Sequence, residues 1–535
     1  MSTASEGAAK PQVFIRKASG LVRTAGTWDV LAYNINFTSI GLLLAFLILL
    51  GPAFYPGISM GLSAIICVAL LLPLSLVFGY LSSSMPRSGG DYVYVSRVLG
   101  PAWGMMSNFN TTLWWFFYGG VPSAFLARYG LAPFFRTLGI FTGNLGLIDI
   151  GNWFASPTGM FIFGALLISL LVYIFARGMR TFFRVQNLLI IFAIISTVLS
   201  AVVFVGKTPA DVLEAFNRFV GPIAGTADVA GHVLEAGAGA GFVAEPFSLR
   251  NTMLAMTWIY LNLAFMQSSA YIGSEVKDAR RLQLWSMPAT VVLVGLGVLV
   301  TVLLVERAAG FEFLGALSWV DPAELGMAST PLYTELASYV SGSLVVAFLI
   351  TFGFIFWSYA WLPGQIINGS RNILAYAIDG LFPAWFQKVH PKLHTPTNAL
   401  ASMGVMSILA LAVYVFTPYF ATLVGIFGFI LSFTMVSIAA ILLPRRLPDV
   451  FATSAVNQRI AGIPVISIIG VLSVISCVIM AWAYISDPMA GLTPTMIAFN
   501  VGTFVSGLVV YYVAKAIRAR RGVDVSLSYK ELPAE

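Results

Sequence analysis

The sequence predicts an all-α integral membrane protein with twelve transmembrane helices, on the basis of its composition and its hydrophobic pattern. Of its 535 residues, 59% are apolar and 10% are charged, whereas an average soluble domain is about 25% charged. A helix needs about 20 mostly apolar residues to cross a bilayer, and twelve stretches qualify. Cytosolic enzymes, disulfide-stapled extracellular proteins and disordered proteins are therefore excluded as classes.

None of the twelve predicted spans contains Asp, Glu, Lys, Arg or His. Span 1 is too long for a signal peptide and is followed by no small-residue cleavage site. The first six spans cover residues 30–50, 58–81, 103–127, 159–176, 185–205 and 253–273. The last six cover residues 287–305, 344–367, 398–416, 419–443, 463–485 and 495–514.

The basic residues predict the orientation in the membrane. If the N-terminus is cytoplasmic, 23 of the 29 Lys and Arg residues lie in inner segments, and the outer loops hold only Arg128, Arg136, Lys207, Arg218, Arg250 and Arg307. This bias predicts a multi-pass protein of the cell membrane with both termini in the cytoplasm. The net charge of +7 is therefore a topology signal, and no nucleic-acid partner is expected.

The cysteine and histidine content gives no sign of a metal site or a bound cofactor. Cys67 and Cys477 both lie inside apolar runs, and the chain has three histidines. Such cysteines are typical of packed hydrophobic positions. A coupling ion, Na⁺ or H⁺, stays open, but the absence of titratable residues from the spans predicts that a proton gradient alone does not drive accumulation.

Spans 1 and 6 carry polar and small residues where a lipid-facing helix would be apolar. Residues 34–41 of span 1 read Asn-Ile-Asn-Phe-Thr-Ser-Ile-Gly, and residues 267–273 of span 6 read Gln-Ser-Ser-Ala-Tyr-Ile-Gly. Such residues let a helix break where its backbone is buried or faces water, or they permit close helix packing. Because the two segments lie five spans apart, they favour a binding site in an inverted repeat.

The predicted organisation follows from this repeat. Residues 1–27 form a cytoplasmic tail, 28–205 the first repeat with spans 1–5, and 206–252 an external loop. Residues 253–443 form the second repeat with spans 6–10, 444–516 the added spans 11 and 12, and 517–535 a cytoplasmic tail. Within the external loop, the Gly-Ala-rich stretch 235–241 is expected to be flexible. Residues 330–340 have helical spacing and predict a short helix.

Four motifs on the predicted inner face resemble those of the amino acid–polyamine–organocation permeases, and the resemblance extends over residues 25–516. The first is Pro-Arg-Ser-Gly-Gly-Asp-Tyr at 86–92, and the second is Arg-Gly-Met-Arg at 177–180. The third covers residues 273–281 and the fourth residues 370–396. Their order and their positions at span boundaries make the resemblance specific.

The first motif has a physical interpretation as a turn between two helices. A proline ends span 2, and paired glycines allow a tight reversal. The residues from 92 to 99 predict a short amphipathic helix, and Arg87 and Arg97 are expected to meet lipid phosphates or to pair with Asp91 or Glu275. These loops set topology, and a cytoplasmic gate is the alternative role, with candidate residues Arg87, Gly89, Gly90, Asp91 and Glu275.

The resemblance implies a five-plus-five inverted-repeat (LeuT-like) fold, with a substrate held midway through the bilayer between broken helices. In such carriers the substrate carboxylate meets backbone N–H groups at the span 1 break, and the ammonium meets carbonyls in span 6. The candidate binding residues are Asn36, Phe37, Thr38, Ser39, Ile40, Gly41, Phe265, Met266, Gln267 and Ser268, with Trp357 and Ser358 on the wall from span 8.

The chain departs from the permease pattern at the breaks. The first glycine of the usual Gly-x-Gly is absent from Ser39-Ile40-Gly41, and Phe265-Met266-Gln267 replaces a glycine and an acidic or aromatic residue. These changes put an ordinary α-amino acid substrate in doubt. We expect a secondary active or exchange transporter for amino acids or related amines, not an enzyme. A transporter-like sensor that binds such a ligand without transport is the alternative, and the oligomeric state stays open.

Overall fold

The computed structural model describes residues 20–417 and 424–529. The helices of the first half are α1 (Thr27–Thr38), α2 (Ile40–Phe54), α3 (Met60–Ser84), α4 (Asp91–Val98), α5 (Pro101–Tyr118), α6 (Val121–Phe125), α7 (Ala132–Thr142), α8 (Leu145–Ala155), α9 (Pro157–Ala176), α10 (Met179–Val202), α11 (Pro209–Ala224) and α12 (Val229–Gly239). A π-helix, Leu126–Leu131, joins α6 to α7.

The helices of the second half are α13 (Leu249–Leu254), α14 (Met256–Leu263), α15 (Ala279–Ala309), α16 (Phe311–Trp319), α17 (Tyr333–Ser341), α18 (Leu344–Ser358), α19 (Trp361–Ile378), α20 (Thr397–Phe416), α21 (Val424–Arg446), α22 (Pro448–Thr453), α23 (Val465–Ser486) and α24 (Pro494–Ala519). Short 3₁₀ turns cover Ser268–Tyr271, Gly273–Glu275, Ala384–Gln387, Pro488–Ala490 and Val525–Tyr529. A small antiparallel hairpin pairs β1 (Arg459–Ile460) with β2 (Ile463–Pro464).

Ten helices in the described residues are long and apolar enough to cross a membrane, with α1–α2 and α18–α19 each counted as one. The two predicted spans outside this set, 103–127 and 253–273, are divided into shorter helices. The first is divided because α5 ends at Tyr118 and the π-helix follows. The second is divided because α14 ends at Leu263 and two 3₁₀ turns follow. Residues 419–423 of predicted span 10 lie outside the described residues.

The outward faces of the long helices are apolar. Leu166 on α9, Val345 on α18 and Val509 on α24 are 65%, 68% and 61% exposed. Helices that are hydrophobic on their exposed faces require lipid rather than water around them. Together with their length, this surface makes the protein a multi-pass membrane protein.

The interior contains the interrupted helices. α3 packs along α15, α10 along α18, and α5 along α24. Between these pairs, nearly every residue from Val30 to Ala53 of α1 and α2 is buried. The interruption between α1 and α2 therefore lies in the middle of the bundle and away from lipid.

The predicted flexible stretch 235–241 is mostly helical, so that prediction is wrong. α12 begins because the Asp228 carboxylate accepts a hydrogen bond from Gly231 N at 3.0 Å. A side chain on Gly237 would approach Ala316 Cβ to 2.7 Å, so this glycine permits close packing on α16 rather than disorder. The short helix predicted at 330–340 is confirmed as α17.

Labelling of single cysteines tests the predicted orientation. Glu235 on α12 and Arg281 at the start of α15 are both exposed, whereas the native Cys67 and Cys477 are buried and give little background. We expect a membrane-impermeant maleimide to modify Glu235→Cys in intact cells and Arg281→Cys only after permeabilisation, because the basic residues favour a cytoplasmic Arg281. Labelling in the opposite sense would contradict the topology.

Candidate functional site

The break between α1 and α2 is a single residue in the left-handed conformation. Ser39 has φ 44° and ψ 67°, a conformation that costs a non-glycine residue about 1–2 kcal/mol. Its Oγ donates to the carbonyl oxygen of Trp357 at 2.7 Å, and its N–H donates to Asn36 O at 3.1 Å. Ser39 thus takes the conformation that a glycine would favour, with α18 holding it in place.

Gly41 permits the closest approach of α2 to α18. A Cβ on Gly41 would lie 2.6 Å from the Cβ, Cγ and Cδ1 atoms of Trp357. No side chain fits in that space. The glycine that remains at this break is therefore needed for packing against Trp357.

The second break, after α14, is supported by side chains from neighbouring helices. Ser269 N donates to Asn34 Oδ1 on α1 at 2.8 Å, and Ser269 exchanges two hydrogen bonds with the Gln283 amide on α15, at 2.7 and 2.8 Å. Asn368 Nδ2 on α19 donates to Ser268 Oγ at 2.8 Å, while Tyr33 OH donates to Asn368 Oδ1 at 2.8 Å. These bonds satisfy polar groups that an unbroken helix would satisfy internally.

The two interruptions face each other across a seam, defined here as residues 36–41 and 264–271. The rings of Phe37 and Phe265 are 5.3 Å apart between centroids, and Phe265 contacts Phe429 of α21 at 5.1 Å. Gln267 is 1% exposed, and its Oε1 has no hydrogen-bond partner among the described residues. The seam combines an apolar wall with a buried acceptor that has no partner.

The other predicted seam residues are all buried, but they point in several directions. The Thr38 hydroxyl donates to Ile35 O of its own helix at 2.7 Å. Ile40 faces α15, where a Cβ on Gly297 would lie 2.8 Å from its Cδ1. Asn36 and Met266 are 3% and 0% exposed.

The two predicted wall residues of α18 contact other helices. Trp357 Nε1 donates to Ala193 O at 2.8 Å and to Thr197 Oγ1 at 2.9 Å, both on α10. Ser358 Oγ donates to Phe354 O at 3.2 Å, and a Cβ on Gly130 of the π-helix would lie 3.2 Å from it. Trp357 therefore joins the α1–α2 break to α10, while Ser358 faces the π-helix.

Two buried ion pairs lie among the residues predicted for the cytoplasmic face. Arg371 Nε and Nη2 donate to the two carboxylate oxygens of Glu275 at 2.8 and 3.2 Å. Arg97 Nη1 and Nη2 donate to the carboxylate of Asp379 at 2.7 and 3.0 Å. The expectation that Arg97 meets lipid phosphates or pairs with Asp91 or Glu275 is therefore wrong.

The predicted short helix after span 2 is confirmed as α4, but all eight of its residues are buried rather than one face alone. The loop before it reaches this depth because Gly89 and Gly90 have positive φ angles, 91° and 46°. A Cβ on Gly89 would lie 2.7 Å from Ala375 Cβ, and one on Gly90 would lie 2.8 Å from the Tyr271 ring. Both glycines are needed for this close packing.

The other two predicted inner-face residues differ in burial. Arg87 is partly exposed, and its Nη1 donates to Pro86 O at 3.2 Å. Asp91 is 1% exposed and accepts a hydrogen bond from Asn108 Nδ2 of α5 at 2.9 Å.

The contacts made by the C-terminal segment, and those at the predicted outer end, were not predicted from the sequence. The Tyr529 hydroxyl lies 2.8 Å from that of Tyr92, and the Arg97 guanidinium lies 4.8 Å from the Tyr529 ring centroid. At the predicted outer end, Asp487 accepts hydrogen bonds from Tyr55 OH at 2.8 Å and Thr257 Oγ1 at 2.7 Å. No local pattern marks these contacts, since each joins residues that are more than 200 positions apart.

The described residues contain no group of three or more His, Cys, Asp or Glu side chains that could hold a metal ion. The polar groups at the seam are instead amides, hydroxyls and backbone groups. Such groups bind a polar organic molecule by hydrogen bonds.

The known proteins that are similar to this chain are transporters. Residues 28–508 match the family model described as amino acid permease. The methylthioribose transporter of Bacillus subtilis (strain 168) is 23% identical over 433 residues, which cover 79% of this chain and 80% of that protein. The large neutral amino acids transporter small subunit 2 of Oryctolagus cuniculus is 22% identical over 467 residues, which cover 85% of this chain and 74% of that protein.

A third relative matches over a shorter segment. The vacuolar cationic amino acid transporter 4 of Arabidopsis thaliana is 29% identical over 121 residues, which cover 23% of this chain but only 20% of that protein. The family match, in contrast, includes both breaks, both arginine–carboxylate pairs and the long apolar helices except the end of α24 after residue 508 and the first residue of α1. The chain therefore belongs to the amino acid permease family.

Proposed function

We propose that this chain is a secondary transporter, working by active transport or exchange, that moves amino acids or closely related amines across the cell membrane by alternating access. The observation that carries the proposal is the seam, where two interrupted helices meet in the middle of the bundle. Its unpartnered Gln267 Oε1 is a buried acceptor, which is costly unless a ligand donates to it.

The seam suits a zwitterion with an apolar side chain. The first N–H groups of α2, from Ile40 onward, have no partner within the helix, and their positive dipole end attracts a carboxylate. Carbonyls at the end of α14 and Gln267 Oε1 attract an ammonium. Phe37 and Phe265 would contact the side chain of the substrate.

The substrate class extends beyond ordinary amino acids. The relatives include carriers of large neutral amino acids, of cationic amino acids and of methylthioribose. Ser39 replaces a glycine and leaves less room for a carboxylate at the break between α1 and α2. This favours a substrate that also forms a hydrogen bond with Gln267. We assign Trp357 and Ser358 a positioning role, because their polar groups bond to the protein itself.

Alternating access would open one end of the seam at a time. We propose twelve spans in two inverted repeats of five, with spans 3 and 6 segmented, spans 11 and 12 added, and both termini in the cytoplasm. The two arginine–carboxylate pairs would close the inner end, and the Asp487 bonds to Tyr55 and Thr257 would close the outer end. No observation favours the alternative function, a sensor without transport.

Counterflow in proteoliposomes tests the proposed function. Vesicles loaded with an unlabelled amino acid mixture should take up radiolabelled amino acids faster than unloaded vesicles, because a carrier exchanges substrate across the membrane. Protein-free vesicles control for leakage. Saturable binding without any exchange would contradict transport and support a sensor.

The proposed site predicts a loss of affinity in Gln267→Leu and Thr38→Val. A lost hydrogen bond costs about 0.5–1.5 kcal/mol, so the apparent dissociation constant should rise about 2- to 13-fold in each variant. Thr434→Val is a matched control, because Thr434 also donates to its own helix, at 2.8 Å, but lies away from the seam. Unchanged binding in both seam variants would move the site elsewhere.

If the Glu275–Arg371 ion pair closes the inner end of the seam, the effects of substitutions at these two residues on protein stability should be strongly coupled. Glu275→Gln leaves Arg371 buried without its partner, a change that typically costs about 3–5 kcal/mol. We expect a clear fall in the melting temperature of the purified protein in this variant, and a partial recovery in Glu275→Leu/Arg371→Met. The exposed Glu235→Gln serves as control. Additive effects of the two substitutions would show that the pair is not coupled.

A further inference from the structure

Asp91 is a buried carboxyl with incomplete hydrogen bonding. Its Oδ1 accepts from Asn108 Nδ2 at 2.9 Å, and its Oδ2 has no hydrogen-bond partner among the described residues. The Tyr271 hydroxyl lies close enough to Asp91 to affect its charge, and it makes no hydrogen bond to any other group among the described residues. A neutral carboxylic acid has a proton to donate, whereas a carboxylate has none.

The cations nearest to this region are committed to other carboxylates. Arg97, on the same helix as Asp91, makes its bidentate pair with Asp379, the residue directly after α19. Arg371 of α19 makes its pair with Glu275, which follows the interrupted span 6. The contrast with Asp379 and Glu275 distinguishes Asp91, since each of those two carboxylates has an arginine.

Among the described residues, the helices and the 3₁₀ turn packed around Asp91 offer no other cation. α5 contains no charged residue and contributes Asn108. The 3₁₀ turn contributes Tyr271, and α19 contributes Tyr376, which hydrogen-bonds to the same Asn108. α21 packs on α4, but its two charged residues, Arg445 and Arg446, are exposed in its last turn. The remaining titratable groups on α4 are Tyr92 and Tyr94.

We propose that Asp91 is a proton-binding residue of the inner face, neutral while this face is closed and ionised when the face opens to the cytoplasm. The neutral acid can donate to the Tyr271 hydroxyl and so attach α4 to the unwound part of span 6. Opening would bring water to the carboxyl and release its proton to the cytoplasm. This site acts on the inner opening of the transport cycle and therefore depends on the function proposed above.

The sign of the pH effect follows from burial. Burial raises the pKa of Asp91 from 3.8 to about 6 in the closed arrangement, and it outweighs the stabilisation of the charge by Tyr271 and Asn108. In the open arrangement, hydration returns the pKa toward its ordinary value. Low pH therefore stabilises the closed face, and this stabilisation is lost as the pH rises through about 6. With these two pKa values, the ratio of closed to open inner face is about tenfold higher at pH 5 than at pH 7.5.

Infrared spectroscopy of the purified protein tests the proton site without requiring transport. A protonated carboxyl has a C=O stretching band distinct from that of a carboxylate. Because Glu335 is also a buried carboxyl, with a pKa raised to about 7, the band of Asp91 is identified by difference. We expect the spectrum of the wild type minus that of Asp91→Asn to contain such a band with a midpoint near pH 6, and Asp91→Glu to retain it at a shifted position. Asp449→Asn, at an exposed carboxylate on α22, should leave the band unchanged. A difference spectrum without any titrating carboxyl band would overturn the proposal.

Exchange measured at equal pH on both sides of the vesicle tests the link to opening. The wild type and Asp449→Asn should slow by up to about tenfold from pH 7.5 to pH 5, while Asp91→Asn should show a flat profile. An identical pH profile in Asp91→Asn would overturn the link. If the wild type exchanges no substrate at any pH, the proposed function fails, and the infrared titration still decides whether Asp91 binds the proton.

Discussion

The rest of the structure depends on one constraint, which is that backbone groups freed by a broken helix inside a membrane must find partners within the protein. The hydrocarbon core contains no water to bond them, and each unsatisfied group costs several kcal/mol. Here the partners are side chains of other helices. Asn34 accepts from Ser269 N, and Gln283 accepts from and donates to the same residue. Ser39 is held in turn by the Trp357 carbonyl.

These bonds explain why the seam has its shape. They join the first break to the second through α1, the first break to α18, and the second break to α15 and α19. Because each partner belongs to a different helix, a movement of one helix must break bonds that are costly to lose. The protein is therefore expected to have a few discrete arrangements rather than a continuous range. The two buried arginine–carboxylate pairs follow the same logic, since a broken pair leaves a charge in an apolar interior.

The sequence was sufficient for ten long apolar helices, both breaks and the helix after the double glycine, because each of these has a local pattern. It was not sufficient for contacts between distant residues. Asp91 and Arg97 lie on the same helix but are six positions apart. This spacing places their side chains on different faces of the helix. The partner of Arg97 is Asp379, 282 positions away. Arg371 lies within α19 beyond the predicted end of span 8 at residue 367, so its pairing with Glu275 was not visible.

The candidate site shows the same limit. Residue type indicated that polar groups lie at the breaks, but not which of them are already bonded within the protein. Thr38, Ser39 and Ser268 bond to neighbouring residues, whereas Gln267 Oε1 does not. The π-helix in span 3 also escaped prediction, because an extra residue in a helical turn leaves the apolar pattern nearly unchanged.

The central claim is that substrate binds in the seam between residues 36–41 and 264–271. Electron cryomicroscopy of the protein in lipid nanodiscs, with a saturating concentration of an amino acid that it exchanges, tests this most directly. We expect ligand density between the start of α2 and the turn after α14, within hydrogen-bonding distance of Gln267. Ligand density at another place, with Gln267 still unpartnered, would contradict the account.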